Sequence, residues 1–375
     1  MASTIIFKLY FTFYKGIVMR EIFMKYALCC SLIIIISGYF TDYYSRQANG
    51  EKYIAVSDTT IFPQGTFEAC HASTIVELTP GVLMASWFAG AYEGADDVAI
   101  WTSIYKDKNW SKPVIAASGK GIDEKPMPCW NPVLFKNNEG ILYLFYKVGP
   151  NPREWWGMVI RSSDDGETWS APERLPENIL GPIKNKPIQL KNGNILCPSS
   201  VESVDAKKWT VHLEITDKNL TKWEKIEIAA DDSVGVIQPT ILQHKDGRLQ
   251  MLCRSRQNVI YETWSKDEGK SWSKLCPTKT PNPNSGIDAE TLKNGEFILI
   301  YNPLLQGKDW FYGRNVLNAA ISKDGENWED IFQLENEREG EFSYPAVIQA
   351  SDGTIHITYT DRRKNIKHVV LKKQH

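Results

Sequence analysis

Six polar residues recur along the 375-residue chain at intervals of 50 to 60 positions, each opening an apolar run: His71, Asn131, Lys186, Gln238, Asp288 and Tyr344. An imidazole, two carboxamides, an ammonium, a carboxylate and a phenol together offer proton transfer, nucleophilic attack and hydrogen bonding. As core residues they would be costly, because an unpartnered polar group loses a few kcal/mol on burial. Further chemistry lies between them: Glu93 in a YEGADD segment, Trp156 ending REWW, and Arg254 and Arg314 beside apolar strand ends. Arginine forks grip carboxylates in a bidentate manner, and Trp faces stack on sugar rings, so the set suits an acidic oligosaccharide or glycoconjugate. Arg362 and Arg363 read as solvent-facing charges. The sequence contains no zinc or calcium ligand pattern and no glycine-rich phosphate loop, so no metal and no cofactor is expected.

An internal repeat supplies the elements that must hold these side chains. Six segments share the form strand, polar turn, apolar strand, with turn glycines at Gly81, Gly140, Gly193, Gly247, Gly295 and Gly353. Asn-Gly and Asp-Gly between alternating apolar runs signal tight hairpins, because such turns need a positive φ. A second motif, S-x-D-x-G-x-[ST]-W, follows in Ser162–Trp169 and Ser265–Trp272 and, one residue shorter, in Ser322–Trp328, with eroded copies ending at Trp110 and Trp223. Its Asp accepts turn N–H groups, its Gly takes a positive φ and its Trp packs between sheets, which makes it a folding device. Six repeats of four short strands predict an all-β, six-bladed propeller over residues 51–375. The last repeat runs out with three strands, and residues 51–62 supply one more, so the N-terminal strand is expected to close the ring. In this geometry the six polar openers and the loops between each second and third strand share one face, where function is expected.

Lys+Arg 43 against Asp+Glu 45 leaves a net charge of −2, which excludes nucleic acid as a natural partner. The apolar run of residues 26–40, preceded by Arg20 and Lys25, reads as a signal peptide or membrane anchor, with residues 1–50 set aside and an overlong start upstream of Met19 or Met24. The protein is therefore expected to be secreted or periplasmic, touching a membrane only through an uncleaved N-terminal segment. Five cysteines remain beyond that segment, without a CxxC pair, and most sit in strand-like runs as buried thiols.

The repeated motif resembles the Asp box, or BNR repeat, of sialidases, and residues 51–375 resemble a bacterial sialidase-like propeller. The resemblance implies an exo-acting glycosidase that removes a terminal acidic sugar, sialic acid or a relative. By position it implies that Tyr344 is the nucleophile, Glu93 the acid/base, and Arg254 and Arg314 two of three carboxylate-binding arginines. Two positions depart: His71 stands where the first of those arginines falls, and Gln238 where the glutamate that activates the tyrosine falls. His71 then becomes a candidate general acid/base, and Asp288 or Glu290 candidate bases for Tyr344. Lys186, Asn131, Gln238 and Trp156 complete the expected substrate-binding set. The alternatives are a His-dependent hydrolase or lyase on a uronate- or rhamnose-containing polysaccharide, and a non-catalytic glycan-binding propeller.

Overall fold

The computed structural model describes residues 53–121, 123–309 and 311–374, so the proposed signal segment lies outside the described residues. Those residues form an all-β, six-bladed propeller, with six antiparallel sheets arranged as blades. Each blade runs from an inner strand at the channel to an outer edge strand. Blade 1 holds Ala69–Thr79, Val82–Gly90 and Ala99–Lys106, and its outer edge is split between Asn109–Trp110 and Val114–Ala117, both paired with the third strand. Blades 2 to 5 begin at Cys129, Ile188, Val236 and Asp288 with four strands each. Blade 6 holds Phe342–Gln349, Ile355–Asp361 and Asn365–Lys373. Its outer strand is Tyr53–Thr60, paired from Tyr53 with Lys373 to Thr60 with Lys367, so the ring closes as expected.

All six turn glycines have φ between 78° and 90°, a region where any other L-residue is strained. The Asp boxes are tied off by their own side chains. Ser162 Oγ donates to Asp164 Oδ1 at 2.6 Å, and Thr168 N donates to the same oxygen at 2.9 Å. Asp267 repeats this with Ser265 and Ser271. These bonds hold the Asp164 and Asp267 carboxyls down to about 2. The box tryptophans Trp169, Trp272 and Trp328 each pack against a separate cluster of buried apolar residues. The propeller core is a set of such clusters, and each large side chain buried in them contributes about 1.5–3 kcal/mol. Cys70, Cys129, Cys197 and Cys253 are buried free thiols and Cys276 is an exposed one.

Candidate active site

The inner strands of blades 1, 2, 4 and 6 slip register at the same level, between His71 and Thr74, Trp130 and Val133, Ile237 and Thr240, and Ser343 and Ala346. At each slip one non-glycine residue takes a positive φ: Ala72 at 55°, Asn131 at 38°, Gln238 at 55° and Tyr344 at 52°. A bulge bends its strand and re-aims the side chain it carries, and each left-handed residue stores about 1–3 kcal/mol of strain. The bulges in blades 4 and 6 turn Gln238 and Tyr344 toward one another, with Gln238 Nε2 3.2 Å from the phenol oxygen.

Arg254, on the second strand of blade 4, completes the contact. Its Nη1 donates to Tyr344 Oη at 2.9 Å and to Gln238 Oε1 at 3.0 Å, while Nε donates to Asn284 Oδ1 at 2.8 Å. The arginine therefore fixes the Gln238 amide with its oxygen toward the guanidinium and its NH2 toward the phenol. Both groups are donors to the Tyr344 oxygen, so neither can accept the phenol proton. Arg254 is buried, and every one of these hydrogen bonds goes to a neutral group. The ring of Trp209 lies 5.5 Å from its guanidinium carbon.

His71 packs on the other side of Tyr344, ring centroids 4.1 Å apart. Its Nδ1 meets Thr360 Oγ1 at 2.9 Å, and its Nε2 is buried with no hydrogen-bond partner. Burial, followed by the charges of Arg363, Arg314, Arg254 and Lys184, pushes the imidazole well below the usual histidine range, so it is neutral at pH 7.

A chain of charges runs along the rim. Arg314 Nη1 and Arg363 Nε grip the two oxygens of Glu341 at 2.8 and 2.7 Å, Ser343 Oγ donates to Glu341 Oε1 at 2.8 Å, and Arg363 also pairs with Glu93. Burial alone would raise the Glu341 carboxyl, but Arg363, Arg314 and Ser343 hold it below the carboxylate range. Asn284, itself at φ 56°, joins the halves: its side chain accepts from Arg254 and its carbonyl accepts from Arg314 Nη2 at 2.9 Å. Arg363 is thus no free surface charge, contrary to the sequence reading; it turns inward because the buried Glu341 needs a second cation. Arg362 stays half exposed over the Phe342 ring.

The six sequence-predicted openers do not form one ring. His71, Gln238 and Tyr344 meet at the mouth, whereas Asn131 uses its NH2 to hold Ile183 O at 3.2 Å. Lys186 and Asp288 form a separate cluster, with Lys186 Nζ 3.0 Å from both Asp288 and Glu290. Asp288 also accepts from Thr240 Oγ1 at 3.0 Å and from Val347 N at 2.9 Å. Neither Asp288 nor Glu290 contacts Tyr344, because both are committed to Lys186. The cause is a register offset. Asn131, Gln238 and Tyr344 stand nine residues before their turn glycines, but Lys186 and Asp288 stand seven before theirs.

Counting nine in blades 3 and 5 gives Lys184 and Gly286, and these are the residues found beside Tyr344. Lys184 is buried, donates to Asn185 Oδ1 at 2.8 Å, Ile287 O at 2.9 Å and Pro345 O, and lies 6.0 Å from the Tyr344 ring centroid. Burial pulls its ammonium down to about 7. A side chain at Gly286 would press on Lys184 and Tyr344, each 3.4 Å from an added Cβ. Lys184 was therefore readable by strict counting, whereas Glu341, Asn284 and Thr360 carry no local signal. Among the described residues no three His, Cys, Asp or Glu side chains gather as metal ligands.

Known proteins share this fold. The chain superposes on a protein of unknown function from Dyadobacter fermentans with a TM-score of 0.70 and 17% identity, covering 86% of this chain and 99% of that one. It superposes on the Hadza microbial sialidase Hz136 with a TM-score of 0.69 and 17% identity, covering 84% and 68%. The NanB sialidase from Streptococcus pneumoniae gives 0.63 and 13%, covering 84% and 70%. No curated protein matches by sequence. The BNR repeat-like domain model matches residues 81–357, most of the propeller, and the chain belongs to that sialidase-like BNR-repeat family.

Proposed function

We propose that the protein is an exported glycosidase of sialidase type that removes a terminal acidic sugar from a glycan. The observation that carries this reading is Arg254: a buried guanidinium whose hydrogen bonds all go to neutral groups, touching a strained tyrosine at the mouth of the channel. A buried cation without a carboxylate is costly in the free protein and becomes favourable when a ligand supplies the anion. Arg314 and Arg363 extend the positive rim, and a substrate carboxylate that takes Arg363 releases Glu93 from its ion pair.

In this reading Tyr344 Oη attacks the anomeric carbon as the bond to the leaving oxygen breaks. Glu93, freed from Arg363, takes a proton from solvent and gives it to the leaving oxygen, and the phenol proton passes to His71, whose ring packs on the tyrosine and whose Nε2 is unpartnered. A neutral phenol approaches an anionic sugar without the repulsion a carboxylate would meet. Water then attacks the anomeric carbon as its bond to Tyr344 Oη breaks, Glu93 accepts the water's proton, and His71 returns a proton to the phenolate.

Two observations favour a second reading, a His-dependent hydrolase or lyase on uronate-containing glycans: the Tyr344 oxygen receives only donors from Gln238 and Arg254, and His71 keeps a buried, unpartnered nitrogen. Fluorogenic sialoside and glucuronide, assayed with the parent, Tyr344→Phe and His71→Ala, separate the two. Sialoside turnover lost in Tyr344→Phe supports the first reading. Turnover of uronide alone, intact in Tyr344→Phe and abolished in His71→Ala, overturns it in favour of the second, and an ultraviolet-absorbing unsaturated product marks a lyase.

A further inference from the structure

Between blades 2 and 3, away from the Tyr344 contacts, lies an open cavity of about 320 Å3. Its lining joins Trp156, three cations (Arg153, Arg174 and Lys225), one carboxylate (Glu177) and an apolar floor at Leu175. The Arg174 guanidinium lies over the Trp156 ring, 4.8 Å from its centroid, so a sugar stacks on the indole by drawing Arg174 off the ring and onto its own acid group. Lys225 is paired with Glu227 at 2.9 Å, which leaves Arg153 and Arg174 as the cations available to a ligand. An indole face beside two exposed guanidinium groups is the composition that holds an anionic sugar, the ring by stacking and the acid by the forks.

A line of packed rings, buried from His71 to Trp130, spans the core between the mouth and this cavity and measures their separation. His71 and Phe88 have centroids 5.7 Å apart, Phe88 and Trp130 6.0 Å, and Trp130 and Trp155 6.1 Å, and Trp155 lines the cavity. Three steps of that size bound the distance from His71 to Trp155, a span that a short oligosaccharide lying over the surface can reach.

We propose that this cavity is a second saccharide subsite, which takes an acidic sugar farther along the same glycan, its carboxylate or sulfate on Arg174 and Arg153 and its ring on Trp156. The proposal rests on the reading of the mouth as an acidic-sugar site. It changes the preferred substrate from a single terminal sugar to a chain carrying repeated negative charge.

Isothermal titration of the full propeller with galacturonic acid, hexagalacturonate, sulfated maltohexaose and neutral maltohexaose tests it. The expected result is that an acidic hexamer binds at least about tenfold more tightly than the monomer, a gain of roughly 1.4 kcal/mol. That gain disappears in Trp156→Ala and in Arg174→Glu, the second being a surface change that leaves the fold intact. Whichever hexamer shows the larger gain identifies carboxylate or sulfate as the anion. Equal gains in parent and variants, no gain in the parent, or the same gain with neutral maltohexaose overturns the subsite. Arg254→Met separates this from the mouth: monomer binding unaffected by that change sinks the reading of the mouth, while a hexamer gain lost in Arg174→Glu keeps the cavity.

Discussion

Gln238 and Tyr344 face each other from blades 4 and 6, amide nitrogen to phenol oxygen at 3.2 Å, and the amide cannot turn because Arg254 holds its oxygen at 3.0 Å. A carboxylate in place of that amide would offer the phenol an acceptor but would also occupy Arg254. Gln238→Glu is expected to weaken binding of an acidic monosaccharide about tenfold, because the substrate anion must displace an internal one. Titration calorimetry with a non-hydrolysed acidic sugar checks this. Unchanged or tighter binding would show that Arg254 is not where the anion docks.

Arg254 itself should separate affinity from stability. Arg254→Met removes a charge-assisted fork and is expected to cost about a hundredfold in affinity for an acidic sugar, near 3 kcal/mol. Urea unfolding should show no loss and a small gain, since the native protein no longer holds a buried cation on neutral partners. A large drop in stability with affinity intact would make Arg254 a structural residue.

Glu341 has the opposite character. It is buried between Arg314 and Arg363 and satisfies both. Glu341→Gln leaves two guanidinium groups facing each other around a neutral side chain, and breaking such a buried pair costs about 3–5 kcal/mol. The unfolding midpoint in urea should fall accordingly, and a change under about 1 kcal/mol would refute the assignment.

Acid sensitivity should come from a buried histidine pair between blades 1 and 6. His356 Nδ1 meets His368 Nε2 at 2.9 Å, and Trp110 Nε1 donates to His368 Nδ1 at 3.2 Å. Burial, and then His356, pulls His368 down to about 3, and burial also lowers His356. For a group depressed on folding, the unfolded chain takes up protons first, so stability is full above about pH 6.5 and falls as the pH drops toward the folded value. Between pH 7 and pH 5 His368 alone should account for roughly 2 kcal/mol. Urea titrations at both pH values should show that loss in the parent and a smaller one in His368→Gln. An identical loss in both would place the acid sensitivity elsewhere.

The strand-turn-strand repeat, the Asp boxes and the unassigned N-terminal strand were all legible in the sequence, because hairpin turns and box motifs are local. Each depends on a few consecutive residues whose φ preferences and hydrogen bonds are satisfied within the same turn. Type and order also singled out Tyr344, Gln238, His71 and Arg254, each near the start or end of a strand, and the structure brings these four side chains together.

Tertiary structure decided which of the repeated positions meet. Lys186 and Asp288 look equivalent to Gln238 and Tyr344 in the repeat, but they lie two residues closer to their turns, and a bulge in one blade without a counterpart in the next changes which side chain reaches the mouth. Lys184 takes that place in blade 3 and Gly286 in blade 5. The charge pattern of the rim is likewise not local: Glu341 turns Arg363 inward and couples it to Arg314, and Asn284 joins Arg314 to Arg254. These pairings link residues far apart in sequence on different strands and neighbouring blades, and their strength depends on burial, which a one-dimensional pattern does not contain.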